Sequence, residues 1–394
     1  MNKFPWIKPI AIRSSDEAHR QASWLELFVD LGFVLAISST TKIFETGFSL
    51  DNLLVYSGVF FSIFWVWNRF TWYATLFDNN DIPFRLSFLA SIFCIIGLSA
   101  SIEEISANNY NHFTFYYFIV ECILLYLWSR VWRKPQYRIL AKHHLIGYSI
   151  GTLLIALSLL VEGKTKLIFW LLAILSEAIG PIVAWYRMRS QIPVHTSHII
   201  ERHGLFTIIL LGEGVVAIGH NMSFPLSNDT FIPSAIAFGI IIALWWIYFD
   251  CGFGFSTNLS HNMLKTFIFG YGQFFVFLAL SAIDISLEYG LHFALNPEHS
   301  ELVNVKAIEN MLLAGVAGFL LIMSAIQIII SQKNPRKIYL FRLACGVAVG
   351  LGLFTKFNLA FQTIMLIVLT VLILVAINDT YHWENLKNNS QLSK

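Results

Sequence analysis

A chain of 394 residues that is 56% hydrophobic and only 13% charged cannot cover itself with water-facing groups, because soluble globular proteins carry about 25% charged residues. The formal net charge of +2 says little by itself; the expected partner is the lipid bilayer, not nucleic acid. Cys94, Cys122, Cys251 and Cys345 stand singly, with no CxxC or Cys/His spacing, so neither a disulfide frame nor a zinc site is indicated; no metal or cofactor is expected.

In chain order, a polar and basic segment of about 23 residues comes first, without the apolar core of a cleaved signal peptide. Apolar runs of about 20 residues, the length of a membrane-crossing helix, then begin near Trp24, Asn52, Phe84, Phe113, Leu145, Leu167, Ile200, Phe231, Thr266, Asn310, Ile338 and Ala360. Short links such as 161–166 imply antiparallel neighbours. The link from Glu288 to Glu309 is long enough for a short surface helix. With the N-terminus placed in the cytoplasm, 20 Lys and Arg fall inside and five outside (Lys42, Lys164, Lys166, Lys306 and Lys356), with Arg69 within a span. That alternation satisfies the positive-inside rule and supports about twelve spans.

The two halves resemble each other. Val34-Leu-Ala-Ile37 matches Val215-Val-Ala-Ile218, Trp65-Val-Trp67 faces Trp245-Trp-Ile247, and Leu98-Ser-Ala100 faces Leu280-Ser-Ala282. The offset stays near 180 residues. An even number of spans per half makes the repeat parallel, as between the halves of several transporter folds. The expected fold is all-α: a polytopic protein of the inner (plasma) membrane whose twelve or so transmembrane helices form two parallel six-helix repeats. Residues 1–23 are the cytoplasmic N-terminal segment, 24–190 the first half, 191–380 the second half and 381–394 a cytoplasmic tail.

Ionisable residues inside a span are functional candidates, since a charge at the bilayer centre costs about 2.5–3.5 kcal/mol on insertion scales. Glu26 lies near the cytoplasmic interface and Asp30 about one turn deeper on the same face. Arg69 returns to that depth from the second span and is expected to pair with Glu26 or Asp30. Glu201 and Arg202 open the seventh span and Asp250 ends the eighth. These residues read either as clamps at the cytoplasmic helix ends or as parts of a gate. Glu213 is deeper, past the midplane, flanked by Gly212 and Gly214, with no base within reach on its own helix. A carboxylate in such surroundings favours its neutral form and can exchange a proton; coupling to protons or a cation, or a protonated interhelical hydrogen bond, would both suit it. Asp284, after Ser281 in the ninth span, is the next coupling candidate. Glu121 and Glu177 are expected to make structural hydrogen bonds, and His143 and His144 to lie in a solvated basic loop. His261 and Asp250 flank a loop holding Gly252 and Gly254, but their spacing matches no metal motif.

Trp24-Leu-Glu26-Leu-Phe-Val-Asp30-Leu-Gly-Phe-Val resembles the first-span signature of the bacterial low-temperature-requirement A (LtrA) proteins. Glu201-Arg202-His203-Gly-Leu-Phe-Thr-Ile-Ile-Leu-Leu-Gly212-Glu213 and Trp245-Trp-Ile-Tyr-Phe-Asp250 resemble that family's mid-chain signatures. The chain departs from the pattern at Val29, Gly32 and His203. The resemblance implies a bacterial integral membrane protein associated with growth at low temperature. It carries over Glu26, Asp30, Glu201, Arg202, Glu213 and Asp250 as signature positions without assigned roles.

No GxGxxG, Walker A, HExxH or GxSxG sequence is present. ATP-driven transport by this chain is therefore not expected, no catalytic residue is assigned, and enzymatic activity is left open. The leading expectation is a secondary transporter or permease for an unknown small molecule or ion, proton- or cation-coupled through Glu213, Asp30, Glu26 or Asp284. The alternatives are a non-catalytic scaffold or sensor, and a lipid-modifying enzyme built on Glu26, Asp30, Arg69, Arg202 and Asp250. Substrate, coupling ion and oligomeric state do not follow from the sequence.

Overall fold

Among the described residues, twelve helices are long and apolar enough to cross a membrane. The computed structural model describes residues 6–8, 10–12, 22–77, 80–188, 195–222, 227–250, 263–295, 304–330, 336–355 and 359–392. The spans are α1 (Trp24–Phe44), α2 (Leu50–Leu76), α3 (Ile82–Ser106), α4 (Asn111–Trp132), α5 (Pro135–Ser158), α6 (Thr165–Met188), α7 (Thr196–Asn221), α8 (Asn228–Asp250), α9 (Leu264–Phe293), α10 (Val305–Ile330), α11 (Lys337–Phe354) and α12 (Phe361–Asn385). Among the described residues no strand forms beyond one isolated bridge between Ile12 and Phe77. Helix is what hydrocarbon demands, because each segment then satisfies its own backbone groups.

Local chemistry sets several helix ends. Ser23 Oγ accepts from Glu26 N–H at 3.3 Å while the Glu26 carboxylate accepts from Ser23 N–H at 3.4 Å, a reciprocal cap on α1. Asp81 caps α3 through Phe84 N–H at 3.0 Å, with Pro83 in the first turn, where its missing N–H costs nothing. Ser227 and Thr230 repeat the reciprocal cap on α8, and α8 ends in a π-helical turn over Trp246–Asp250.

Two helices begin well before their apolar runs do. α5 starts at Pro135, not near Leu145, and α10 at Val305, not Asn310. Long basic side chains lay their aliphatic stems along a helix and send the charge toward the interface, so Arg138 and Lys142 sit in helical turns that hydropathy alone leaves out. His143 and His144 share that helix instead of a solvated loop. His144 is buried, with its ring stacked 3.8 Å from that of Trp128. Glu288 likewise lies within α9 and Glu309 within α10. The surface helix expected between them, and the loop holding Gly252, Gly254 and His261, fall outside the described residues.

The chain forms two compact units, residues 1–46 with 58–201 and residues 47–57 with 202–394. In the first, α1 packs on α3, α3 on α4, α4 on α5 and α5 on α6. In the second, α8 packs against α12, α9 against α10, α10 against α11 and α11 against α12.

Glycines bring α5 and α6 backbone to backbone. A Cβ on Gly147 would come 2.5 Å from the Ser176 carbonyl oxygen, and one on Gly180 would come 2.5 Å from that of His143. Ser176 Oγ seals the contact by donating to the Gly147 carbonyl at 3.2 Å. Gly147-x-x-x-Gly151 is the small-residue spacing that lets membrane helices touch backbone to backbone. The other face of α6 exposes Leu171, Leu175, Ile179 and Ile182, an apolar surface suited to lipid chains.

Gly180→Leu should therefore overpack this crossing and cost about 1–3 kcal/mol, read as a lower unfolding temperature in detergent. Ile179→Leu, on the exposed face, should leave that temperature unchanged.

Candidate functional site

α2 distributes three polar side chains among buried acids. Residues 65 and 67 point to nearly opposite sides of a helix, and their indoles serve different carboxylates. Trp67 Nε1 donates to Asp30 Oδ1 at 2.7 Å, and Trp65 Nε1 donates to Glu177 Oε2 at 2.8 Å. Arg69, one turn beyond Trp65 on the same face, donates through Nη1 to Glu121 Oε2 at 2.8 Å and through Nη2 to Glu121 Oε1. Its Nη1 also lies 2.9 Å from Glu177 Oε2. The Tyr148 ring covers the guanidinium, 5.0 Å from ring centre to Cζ. All three charged groups are buried.

This corrects the expected pairing of Arg69 with Glu26 or Asp30. Arg69 is the twentieth of 27 residues in α2, whereas Glu121 is eleventh of 22 in α4 and Glu177 thirteenth of 24 in α6. The acids that neutralise it therefore sit at mid-helix. The enzyme reading asked Glu26, Asp30 and Arg69 to converge, and Arg69 turns to other partners.

Glu26 has a different neighbour. His198 Nε2 lies 3.0 Å from Glu26 Oε2 and His198 Nδ1 lies 2.9 Å from Thr75 Oγ1. His198, Glu26 and Thr75 are buried, so an imidazole bridges a capping carboxylate to the last turn of α2. Glu201 accepts from the Ala22 N–H at 3.1 Å, which ties the start of α1 to α7. Arg202 is buried, and Asp250 is exposed at the end of the π-helical turn. Elsewhere in this unit Asp81 joins its capping role to a forked contact with Arg130 and accepts from Lys8 N–H at 3.1 Å.

In the second unit the sequence candidates Glu213 and Asp284 come together. Glu213 is eighteenth of 26 residues in α7 and Asp284 twenty-first of 30 in α9, so each lies about 7–8 Å past its helix midpoint at 1.5 Å per residue. Gly214 makes the approach possible, since a side chain there would overlap the Asp284 carboxylate. Glu288 adds a second like charge one turn along α9, and Tyr56 and Ser281 complete the surroundings. Asp284 is 7% exposed, and neither carboxylate oxygen has a hydrogen-bond partner among the described residues. Of the unit's other buried acids, Asp379 is held by Arg342, whose Nη1 donates to Gln327 Oε1 at 2.9 Å, and Glu309 pairs with Lys306 at 3.0 Å.

The residues that sequence reasoning passed over each had a local trace. Ser23-x-x-Glu26 is a capping-box signature, Gly147-x-x-x-Gly151 marks a close crossing, and His198 precedes the apolar run of its helix. Among the described residues no group of three or more His, Cys, Asp or Glu is arranged to hold a metal ion.

Arg69→Met would leave Glu121 and Glu177 buried without a counter-charge, and breaking a buried pair from one side costs about 3–5 kcal/mol. The variant should show a strongly lowered unfolding temperature in detergent. Arg69→Lys should recover part of it, because one ammonium cannot reproduce the forked contact.

Comparison with known proteins agrees with the family resemblance. The family described as bacterial low temperature requirement A protein (LtrA) matches residues 21–377. An uncharacterized protein of Rhizobium meliloti (strain 1021) is 25% identical over 279 residues, covering 66% of this chain and 68% of its own. No solved structure matches. With twelve membrane-length helices and a match across nearly its whole length, this chain belongs to the bacterial low temperature requirement A family of multi-pass membrane proteins.

Proposed function

We propose that the protein is a secondary transporter or permease of the bacterial plasma membrane, with both termini cytoplasmic, and that its transport is coupled to protons through Asp284 and Glu213. The observation that carries this reading is the state of Asp284: buried, beside two further carboxylates, and without a hydrogen bond or ion pair among the described residues. Like-charged carboxylates in low dielectric do not all ionise together, so the group is suited to take up and release protons. Intramembrane acids of this kind mark proton relays in pumps and transporters. Glu26 and Asp30, the other coupling candidates, have partners in His198 and Trp67, which suits them better to holding helices together. The substrate is a small molecule or ion whose identity the site does not specify.

Purified protein in liposomes enclosing a pH-sensitive dye provides the test. An imposed pH gradient with potassium and valinomycin should drive proton entry faster than in protein-free liposomes. Asp284→Asn and Glu213→Gln should return the rate to the protein-free level while leaving the protein folded. A wild-type rate no faster than protein-free liposomes, or full flux in both variants, would count against the reading and favour a scaffold or sensor.

A further inference from the structure

The first unit contains a second unbalanced site, and counting its charges leads further. Arg69 supplies one positive charge to two buried carboxylates, Glu121 and Glu177. Among the described residues the charged and polar groups at this site are Arg69 and the Trp65 indole from α2, Glu121, Tyr117 and the neighbouring Cys122 from α4, the Tyr148 ring from α5 and Glu177 from α6. If both acids were ionised the cluster would hold an uncompensated negative charge in hydrocarbon.

The two carboxylates are not equivalent. Both Glu121 oxygens accept from the guanidinium fork, as an ionised partner of arginine should. Glu177 uses only Oε2, which meets Arg69 Nη1 and the Trp65 indole N–H. Its Oε1 has no hydrogen-bond partner among the described residues, and it fills the space left by Gly151, where a Cβ would overlap it. The Tyr117 hydroxyl is a further buried polar group at this site. It is fully buried, has no hydrogen-bond partner among the described residues, and belongs to the same electrostatic group as Arg69, Glu121 and Glu177. One guanidinium between two buried carboxylates, with Glu177 Oε1 unpartnered among the described residues, calls for a hydrogen that heavy-atom positions do not display.

We infer that Arg69, Glu121 and Glu177 form a proton-binding site in the first unit, with one exchangeable proton held on Glu177 Oε1 while Glu121 remains the ionised partner of Arg69. Gly151 lets Oε1 pack directly against the α5 backbone, and no metal-holding group of His, Cys, Asp or Glu is present among the described residues. The inference does not depend on the transport reading, because it concerns charge within one unit.

Infrared difference spectroscopy of the full-length protein in nanodiscs, exchanged between H2O and D2O at neutral pH, tests it directly. The wild type should show the carbonyl stretch of a protonated carboxyl, shifted by deuterium. Asp284→Asn should keep a band of this kind, whereas Glu177→Gln in the Asp284→Asn background should remove it. Glu121→Gln in the same background should remove it as well, because Glu177 then becomes the only counter-charge of Arg69. Absence of the band in Asp284→Asn protein, or its survival in both double variants, overturns the inference. Glu177→Gln should also fold as the wild type does, since glutamine mimics a protonated glutamate; selective misfolding of that variant alone would count against a proton on Glu177. Loss of proton flux in Asp284→Asn with the band intact would separate this site from the transport site.

Discussion

A guanidinium inside a membrane helix bundle has to find its counter-charge within the protein, because hydrocarbon offers none. Arg69 meets that constraint with Glu121 on α4 and Glu177 on α6, under the ring of Tyr148 on α5. One side chain thereby holds α2 against three other helices. Its planar fork explains why arginine stands here: both Nη groups engage Glu121, and Nη1 also meets Glu177. The packing follows the same demand. Gly151 gives up its side chain to make room for the Glu177 carboxylate, and the neighbouring Gly147 and Gly180 let α5 and α6 approach closely enough to put it there.

Other buried charges show how narrow the means of compensation are. Asp379 has Arg342, Asp81 has Arg130, Glu26 has His198, and Asp30 receives an indole N–H from Trp67. Cation, imidazole and neutral donor each satisfy a carboxylate and fasten two helices together. Such contacts are expensive to break from one side, which suits permanent architecture. Asp284 stands outside this pattern: its neighbours are acids, a tyrosine and a serine. A group whose surroundings compensate no charge changes its state by moving a proton, and that is why it separates from the clamps as a functional candidate.

Span number and type were legible because hydrophobic length is a local property of the chain. Partners were harder, because they depend on which helices become neighbours. Hydropathy places Arg69 at the depth of Glu26 and Asp30, since the apolar run of α2 fades there. The helix continues through Thr71, Trp72, Tyr73 and Thr75 to Leu76, and that extension moves Arg69 inward to the level of other acids. The Gly214 side of Glu213 was readable as a point of close approach, but nothing near it in the sequence named Asp284, 70 positions away. His198 escaped notice for a simpler reason: its turn of α7 is polar, although the fold buries it.

The two unbalanced sites differ in what a change of protonation would do. At Asp284 a further negative charge would appear beside Glu213 and Glu288, so repulsion would act between α7 and α9. At Glu177 the new charge would compete with Glu121 for one guanidinium, redistributing bonds among α2, α4 and α6 without leaving any of them wholly uncompensated. Pro181 bears on that second case. It lacks the N–H that would bond the carbonyl of Glu177 four residues earlier, so α6 is missing a rung at the residue whose side chain holds the spare oxygen. A helix weakened there bends at lower cost. The same position thus combines an uncommitted carboxylate oxygen with a reduced penalty for movement of the backbone that carries it.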